Sequence, residues 1–204
     1  MIDITMKNII DNIWPMVLIM TIILSSLRVS YIIKNKLKLC FYEEMFKLAF
    51  MIYVIGLFYL VTFQDVSWST SNFIPFKEIF RYTIFSSMFF KNVIGNMMIF
   101  IPYGFFISYF LKLDSSKQIV FLSLITSITI EITQLIIGRV FDVDDILLNL
   151  LGGITGYLLY RLIKRIKDKL PWIFKTEMFY NIFVSLIAIA LGYYVYYVLG
   201  GFNV

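Results

Sequence analysis

Amide and carboxylate side chains recur at helical spacing inside otherwise apolar stretches of this sequence. An ionised side chain at the centre of a membrane helix costs on the order of 2.5–3.5 kcal/mol, so such groups indicate a polar functional site. They could instead only join helices, through hydrogen bonds worth about 0.6–2 kcal/mol each. For the amides both roles stay open, whereas a buried carboxylate is a costly link between helices and favours a function. Each pair shares one helix face: Asn92 with Asn96, Glu131 with Gln134, and Asp145 with Asn149.

The loop at residues 138–145 brings one cation and three carboxylates close to these pairs. Arg139 carries a planar fork of donors that matches a carboxylate or another oxyanion. We therefore expect Arg139 to pair with Glu131 or Asp142, or to face an anionic ligand such as a lipid phosphate. Asp142, Asp144 and Asp145 could also ligate a hard cation. Acids in a loop are usually solvated, however, and no metal site and no cofactor are predicted.

The absence of histidine excludes several kinds of chemistry. Ser-His-Asp and Cys-His nucleophilic sites and the common histidine-containing zinc sites all need an imidazole. Cys40 is the single cysteine, so the chain can form no internal disulfide and no CxxC metal site. Any reaction must rest on carboxylates, amides, hydroxyls or arginine.

The composition is that of a membrane protein. Of the 204 residues 60% are hydrophobic and 15% charged, and the mean hydropathy is +0.85, whereas a soluble domain carries about 25% charged residues. In so apolar a chain we interpret the net charge of +5 as a topology signal and do not expect nucleic-acid binding. We predict an all-α, polytopic bundle of about six membrane helices. The apolar runs cover residues 13–33, 48–63, 93–111, 119–137, 146–163 and 180–199.

The order of these helices predicts that the polar pairs lie at one depth. The third and fifth helices run in one direction and the fourth in the other. The pairs lie at the start of the third and fifth helices and near the end of the fourth, which is the same side of the membrane. Twelve Lys and Arg fall in one set of alternate connections and five in the other. The positive-inside rule therefore predicts that both termini and the polar pairs lie on the extracytoplasmic side.

The connections and the small residues give further expectations. Residues 64–91 mix polar, aromatic and apolar residues and suit an interfacial or re-entrant segment. We interpret the basic stretch at residues 161–169 as a cytoplasmic juxtamembrane segment. Gly152, Gly153 and Gly156 form a ridge that permits close helix packing. Pro102 predicts a kink in the third helix.

Three ordered motifs between residues 72 and 160 resemble the VanZ-like membrane proteins. The first is Asn72-Phe-Ile-Pro-Phe76, and the second is Asn92-x-x-Gly-Asn96-x-x-x-Phe100-x-Pro-Tyr-Gly104. The third begins Ser127-x-x-x-Glu131-x-x-Gln134 and continues through Arg139, Asp142, Asp145 and Asn149 to Gly156. The resemblance implies an integral membrane protein of Gram-positive bacterial type, associated in some members with low-level teicoplanin resistance.

On this basis we divide the chain into three parts. Residues 1–71 hold the N-terminal helix pair and loop, 72–163 the VanZ-like core, and 164–204 a basic cytoplasmic loop with the last helix. We expect a polar pocket in the outer-leaflet half of the membrane that binds an envelope lipid, a lipid-linked cell-wall precursor or an acylated glycopeptide. The predicted ligand-binding residues are Asn92, Asn96, Glu131, Gln134, Arg139, Asp142, Asp145 and Asn149.

Two alternatives remain open. One is a membrane enzyme that modifies an envelope lipid or glycan, with Glu131 as general acid or base. The other is a small transporter, suggested by the repeated pattern N-x-x-G at Asn92 and Asn149. The sequence favours a binding protein over an enzyme and leaves the oligomeric state open.

Overall fold

A computed structural model of the chain describes residues 2–63, 71–84 and 86–198. The protein is 82% helical, and its described part contains no strand. Six helices are long and apolar enough to cross a membrane, which confirms the predicted fold class. They are α1 (Ile2–Lys34), α2 (Phe41–Phe63), α3 (Ser87–Leu111), α4 (Ser116–Ile136), α5 (Val143–Lys169) and α6 (Glu177–Val198).

Several helices extend beyond the apolar run that predicted them. Helix α2 begins at Phe41 and contains the charged residues Glu44 and Lys47, which lie outside the helix that hydropathy predicts. The Glu44 carboxylate lies 2.9 Å from Arg28 Nε and 2.7 Å from Lys47 Nζ. Arg28, the one cation inside the first apolar run, is thereby neutralised by a partner on the next helix. Helix α5 likewise continues to Lys169, so the basic stretch at residues 161–169 is helical.

Helix α3 is not a regular α-helix throughout. A π-helical segment, Phe90–Ile94, follows a short α-helical start and leads into the regular helix from Gly95. A π-helical segment widens the turn and changes the angular position of the residues before it relative to those after it. Asn92 lies within this segment, so its orientation relative to Asn96 differs from the one that α-helical spacing predicts.

The contacts of the chain divide it into two compact units. One unit consists of Met1–Gly56 and Lys169–Val204, and the other of Leu57–Asp168. In the first unit, the connection between α1 and α2 and the first turn of α2 are hydrogen-bonded to the start of α6. Lys38 Nζ lies 2.9 Å from a Glu177 carboxylate oxygen, and the Tyr42 N–H donates to Asn181 Oδ1 at 3.0 Å.

In the second unit, glycines let α3 and α5 approach until their backbones touch. A Cβ on Gly156 would lie 2.6 Å from Phe105 N, and a Cβ on Gly104 would lie 2.7 Å from the Gly153 carbonyl carbon. On its other side Gly153 meets Ser123 of α4. The glycine ridge predicted on α5 therefore packs against a glycine of α3. Gly95, by contrast, has room for a side chain.

Candidate functional site

A small polar cavity lies within the unit Leu57–Asp168. Its volume is about 50 Å³, which is room for a few water molecules. The apolar part of the wall comes from the end of α2 and from α3 and α4, and consists of Leu57, Leu60, Val61, Ile99, Phe100 and Ile130. The polar part consists of Asn96, Glu131, Gln134, Asp145 and Asn149. Five of the eight residues predicted for the site thus line one cavity.

Glu131 is the most deeply buried of the charged residues in this wall. Its side chain lies on α4, and the residue is 2% exposed. Glu131 Oε2 accepts a hydrogen bond of 3.0 Å from the N–H of Asp142, at the start of the next helix. The carboxylate therefore links the end of α4 to the chain that enters α5, and it also forms part of the cavity wall.

The other polar residues of the wall are joined across helices. Asn96 of α3 donates through Nδ2 to Asp145 Oδ1 of α5. Asn149 of α5 donates through Nδ2 to Ser127 Oγ of α4 at 2.9 Å, in a fully buried contact. Asp145 and Asn149 are i, i+4 on α5 and share one face of this helix. Through them α5 is hydrogen-bonded to α3 and to α4. These bonds link the helices, and the same side chains line the cavity.

Asp142 does not line the cavity but ends the loop that leads to it. Its Oδ1 accepts the N–H of Asp144 at 2.9 Å, the geometry of an N-cap for α5. The same oxygen accepts Asn72 Nδ2 at 2.9 Å. Burial raises the pKa of Asp142 above its ordinary value, while the hydrogen bonds from Asp144 and Asn72 oppose the increase.

A separate segment, residues 71–84, is attached to this loop. Asn72 forms a parallel bridge with Asp142, through Asn72 N to Phe141 O at 2.8 Å and Val143 N to Asn72 O at 3.0 Å. The segment then turns at Phe76, whose φ is +68°. Five of its large apolar side chains are exposed, those of Phe73, Ile74, Phe76, Phe80 and Ile84.

The buried Asp144 carboxylate holds this turn. Its Oδ1 accepts the N–H of Phe76 at 2.5 Å, and its Oδ2 accepts the N–H groups of Glu78 at 2.7 Å and Ile79 at 3.2 Å. Three backbone donors of an irregular segment are thus satisfied by one side chain. From the sequence, Asp144 was expected only as a possible cation ligand or a solvated acid.

Arg139 has a different partner from the ones expected. Its Nη1 donates to the carbonyl oxygen of Val61 at 2.6 Å, and within the described residues it forms no ion pair with Glu131 or Asp142. Val61 lies in the last turn of α2, where carbonyl groups lack helical partners and the helix dipole attracts cations. The predicted pairing of Arg139 with a carboxylate was therefore wrong. Folding places the C-terminal end of α2 beside the loop at residues 138–145. A carbonyl group of that helix end, and not a carboxylate, accepts the hydrogen bond from Arg139.

The predicted residues thus fall into two groups. Asn96, Glu131, Gln134, Asp145 and Asn149 line the cavity, whereas Asn92, Arg139 and Asp142 lie outside its wall. Within the described residues no group of three or more carboxylate or thiolate side chains is placed to hold a metal ion. Asn72, Ser127 and Asp144 were not predicted for the site, although the first two belong to the recognised motifs.

The fold and this cavity define a multi-pass helical membrane protein with a polar chamber among three of its helices and the end of a fourth. The chain belongs to the VanZ/LLP1 family, whose model matches residues 48–164 and includes every residue of the cavity wall. This match confirms the resemblance inferred from the motifs. Comparison with curated proteins and with solved structures gave no match.

Proposed function

We propose that this protein binds the polar group of an envelope lipid, a lipid-linked cell-wall precursor or an acylated glycopeptide in the cavity. Through this binding it contributes to low-level teicoplanin resistance or to maintenance of the cell envelope. The observation that supports the proposal is the mixed polar and apolar composition of the cavity wall. Two carboxylates and three amides lie beside six apolar side chains on helices that are long enough to span a bilayer.

The size of the cavity limits what enters it. At about 50 Å³ it is far smaller than the roughly 300–1,000 Å³ of a site that encloses a whole drug-sized ligand. The proposed ligand therefore inserts one terminal polar group, while its acyl chains lie along the outer surface of the helices. That surface offers many exposed apolar side chains, among them Ile128 and Ile132 of α4.

The depth of the site is part of the proposal. The excess of Lys and Arg on one set of connections favours an extracytoplasmic position for the loop at residues 138–142. The cavity lies next to this loop, so it would open towards the outer leaflet. A lipid-linked precursor or an acylated drug would reach it from that leaflet.

The test is antibiotic susceptibility in a sensitive Gram-positive host that expresses the wild type, Glu131→Gln or Asp114→Asn. Asp114 is a matched control, because its carboxylate is exposed and lies outside the cavity. We expect the wild type and Asp114→Asn to raise the inhibitory concentration of teicoplanin but not of vancomycin, and Glu131→Gln to lose this effect at equal membrane abundance. Equal protection by all three chains would refute a role for the cavity, and no protection by the wild type would refute the resistance role.

A membrane enzyme is the second candidate, and the presence of Glu131 and Asp145 in one cavity wall favours it. Two carboxylates can divide the roles of general acid and general base. In this case Glu131→Gln would abolish a modified lipid or glycan that mass spectrometry finds in cells expressing the wild type. Identical envelope lipids and glycans in cells with and without the wild-type protein would refute catalysis.

A further inference from the structure

We propose that the polar group admitted to the cavity is an ammonium group and not a phosphate. This inference rests on the proposed function and names the chemistry of its ligand. The ammonium could belong to a lipid headgroup or to a soluble amine, and the experiment below separates these sources.

The charges of the cavity wall favour a cation. Glu131 and Asp145 both line it, and among the described residues no Lys or Arg does. A phosphate in so small a space would lie within a few ångströms of two carboxylates. Like charges at such a separation repel each other. An ammonium at the same place gains an attraction of the same kind.

Arg139 does not supply the missing anion receptor. It is the cation of the adjacent loop, and its guanidinium is bound to the Val61 carbonyl at the end of α2. Arg139 does not line the cavity wall. The structure therefore places the cation of this loop in helix capping and leaves the carboxylates to define the charge of the cavity.

The wall also contains acceptor oxygens that the hydrogen bonds between its own residues leave unused. Glu131 uses Oε2 for the Asp142 N–H, Asp145 uses Oδ1 for Asn96, and Asn149 uses its amide nitrogen for Ser127. Within the described residues, the remaining oxygen of each of these three side chains has no hydrogen-bond partner. An ammonium group brings three N–H donors and occupies about the volume of one water molecule, so it matches both the acceptors and the space.

The test uses the purified full-length protein and native mass spectrometry. The probes are phosphatidylethanolamine, its N-acetylated form and phosphatidylglycerol, with matched acyl chains. The N-acetylated lipid keeps the phosphate and removes only the ammonium. We expect the wild type to bind phosphatidylethanolamine about tenfold or more tightly than the other two lipids, the usual scale of a charge-assisted hydrogen bond. If the wild type binds phosphatidylethanolamine no more tightly than the other two lipids, the inference is overturned. This result comes from the wild type alone, so it does not depend on whether any variant folds.

Variants then show which residues produce the preference for phosphatidylethanolamine. Glu131→Gln and Asp145→Asn keep the side-chain shape and remove the charge, so either is expected to reduce the preference to less than about threefold. Arg139→Gln and the exposed control Asp114→Asn are expected to retain it. Loss of binding in Arg139→Gln, with the preference kept in Glu131→Gln, would overturn the inference in favour of a phosphate receptor.

Competition separates the sources of the ammonium. Displacement of the lipid by soluble ethanolamine at millimolar concentration would support a site for free amines, and failure to displace it would support a lipid headgroup. Equal displacement by sodium chloride and by ethanolamine hydrochloride at the same concentration would overturn the inference in favour of an alkali-cation site. If the lipid preference is absent while Glu131-dependent teicoplanin protection persists, the inference fails and the proposed function stands. If that protection is also absent, both fail.

Discussion

Replacing Asp144 tests how the cavity loop and the segment at residues 71–84 are held together. The carboxylate accepts three backbone N–H groups, those of Phe76, Glu78 and Ile79, at 2.5, 2.7 and 3.2 Å. It is 1% exposed, so these bonds are shielded from water in the folded protein. The bonds also hold Phe76 at φ +68°, a left-handed conformation that costs a non-glycine residue about 1–2 kcal/mol.

The two substitutions at Asp144 are expected to differ in size. Asparagine has one side-chain oxygen, so Asp144→Asn can keep the donors of Glu78 and Ile79 and must turn its amide towards the Phe76 N–H. Losing one hydrogen bond to a charged group costs about 1.5–3 kcal/mol. Asp144→Ala leaves three donors without a partner, and at about 1–3 kcal/mol each we expect a loss of roughly 3–9 kcal/mol.

Hydrogen exchange of the purified protein measures this directly. A loss of 1.5–3 kcal/mol corresponds to about 10- to 150-fold faster exchange of the Phe76 amide in Asp144→Asn. In Asp144→Ala the amides of Phe76, Glu78 and Ile79 should all exchange at rates close to those of an unprotected chain. The control is Asp114→Asn, whose carboxylate is exposed. Unchanged protection in Asp144→Ala would show that other contacts hold the turn and would refute this reasoning.

Three further predictions concern packing, pH and topology. Gly156→Ala places a Cβ 2.6 Å from Phe105 N. Such overpacking should destabilise the protein by about 1–3 kcal/mol in a thermal unfolding assay. The control Gly56→Ala, whose Cβ would have no atom within 4 Å, should leave the stability unchanged. The folded state raises the pKa of Asp142, so its ionisation lowers stability as the pH rises from about 3.8 through the raised pKa. Asp142→Asn keeps the accepting oxygen and should gain stability relative to the wild type across this window, as measured by unfolding at several pH values. Val140→Cys in a Cys40→Ser background should react with an impermeant thiol reagent in intact cells.

Each of these has a result that contradicts it. Equal stability of the two alanine variants would mean that α3 and α5 can separate without cost. A wild type and Asp142→Asn whose stabilities run parallel with pH would exclude Asp142 as a source of the pH dependence. Reaction of the cysteine at position 140 only after permeabilisation would invert the proposed orientation.

Much of the candidate site could be predicted from local patterns. The i, i+3 and i, i+4 spacings place Glu131 with Gln134 and Asp145 with Asn149, and the antiparallel order of neighbouring helices brings these faces to one depth. Asn92 departs from this pattern because the π-helical segment alters the turn that contains it. The helix ends also differ from the predicted ones, because α2 and α5 continue beyond their apolar runs through charged residues such as Glu44 and Lys167.

The sequence by itself determined the six membrane helices, the family and the clustering of polar side chains. These features follow from hydropathy and helical periodicity, which are properties of neighbouring residues. Only the tertiary structure decided the partners of Arg139 and Asp144 and the contact between Gly104 and Gly153. The physical reason is that those partners are backbone groups far away in the chain. They lie at a helix end, in an irregular turn and on a facing helix. Such groups carry no side-chain signature, and only folding brings them within reach.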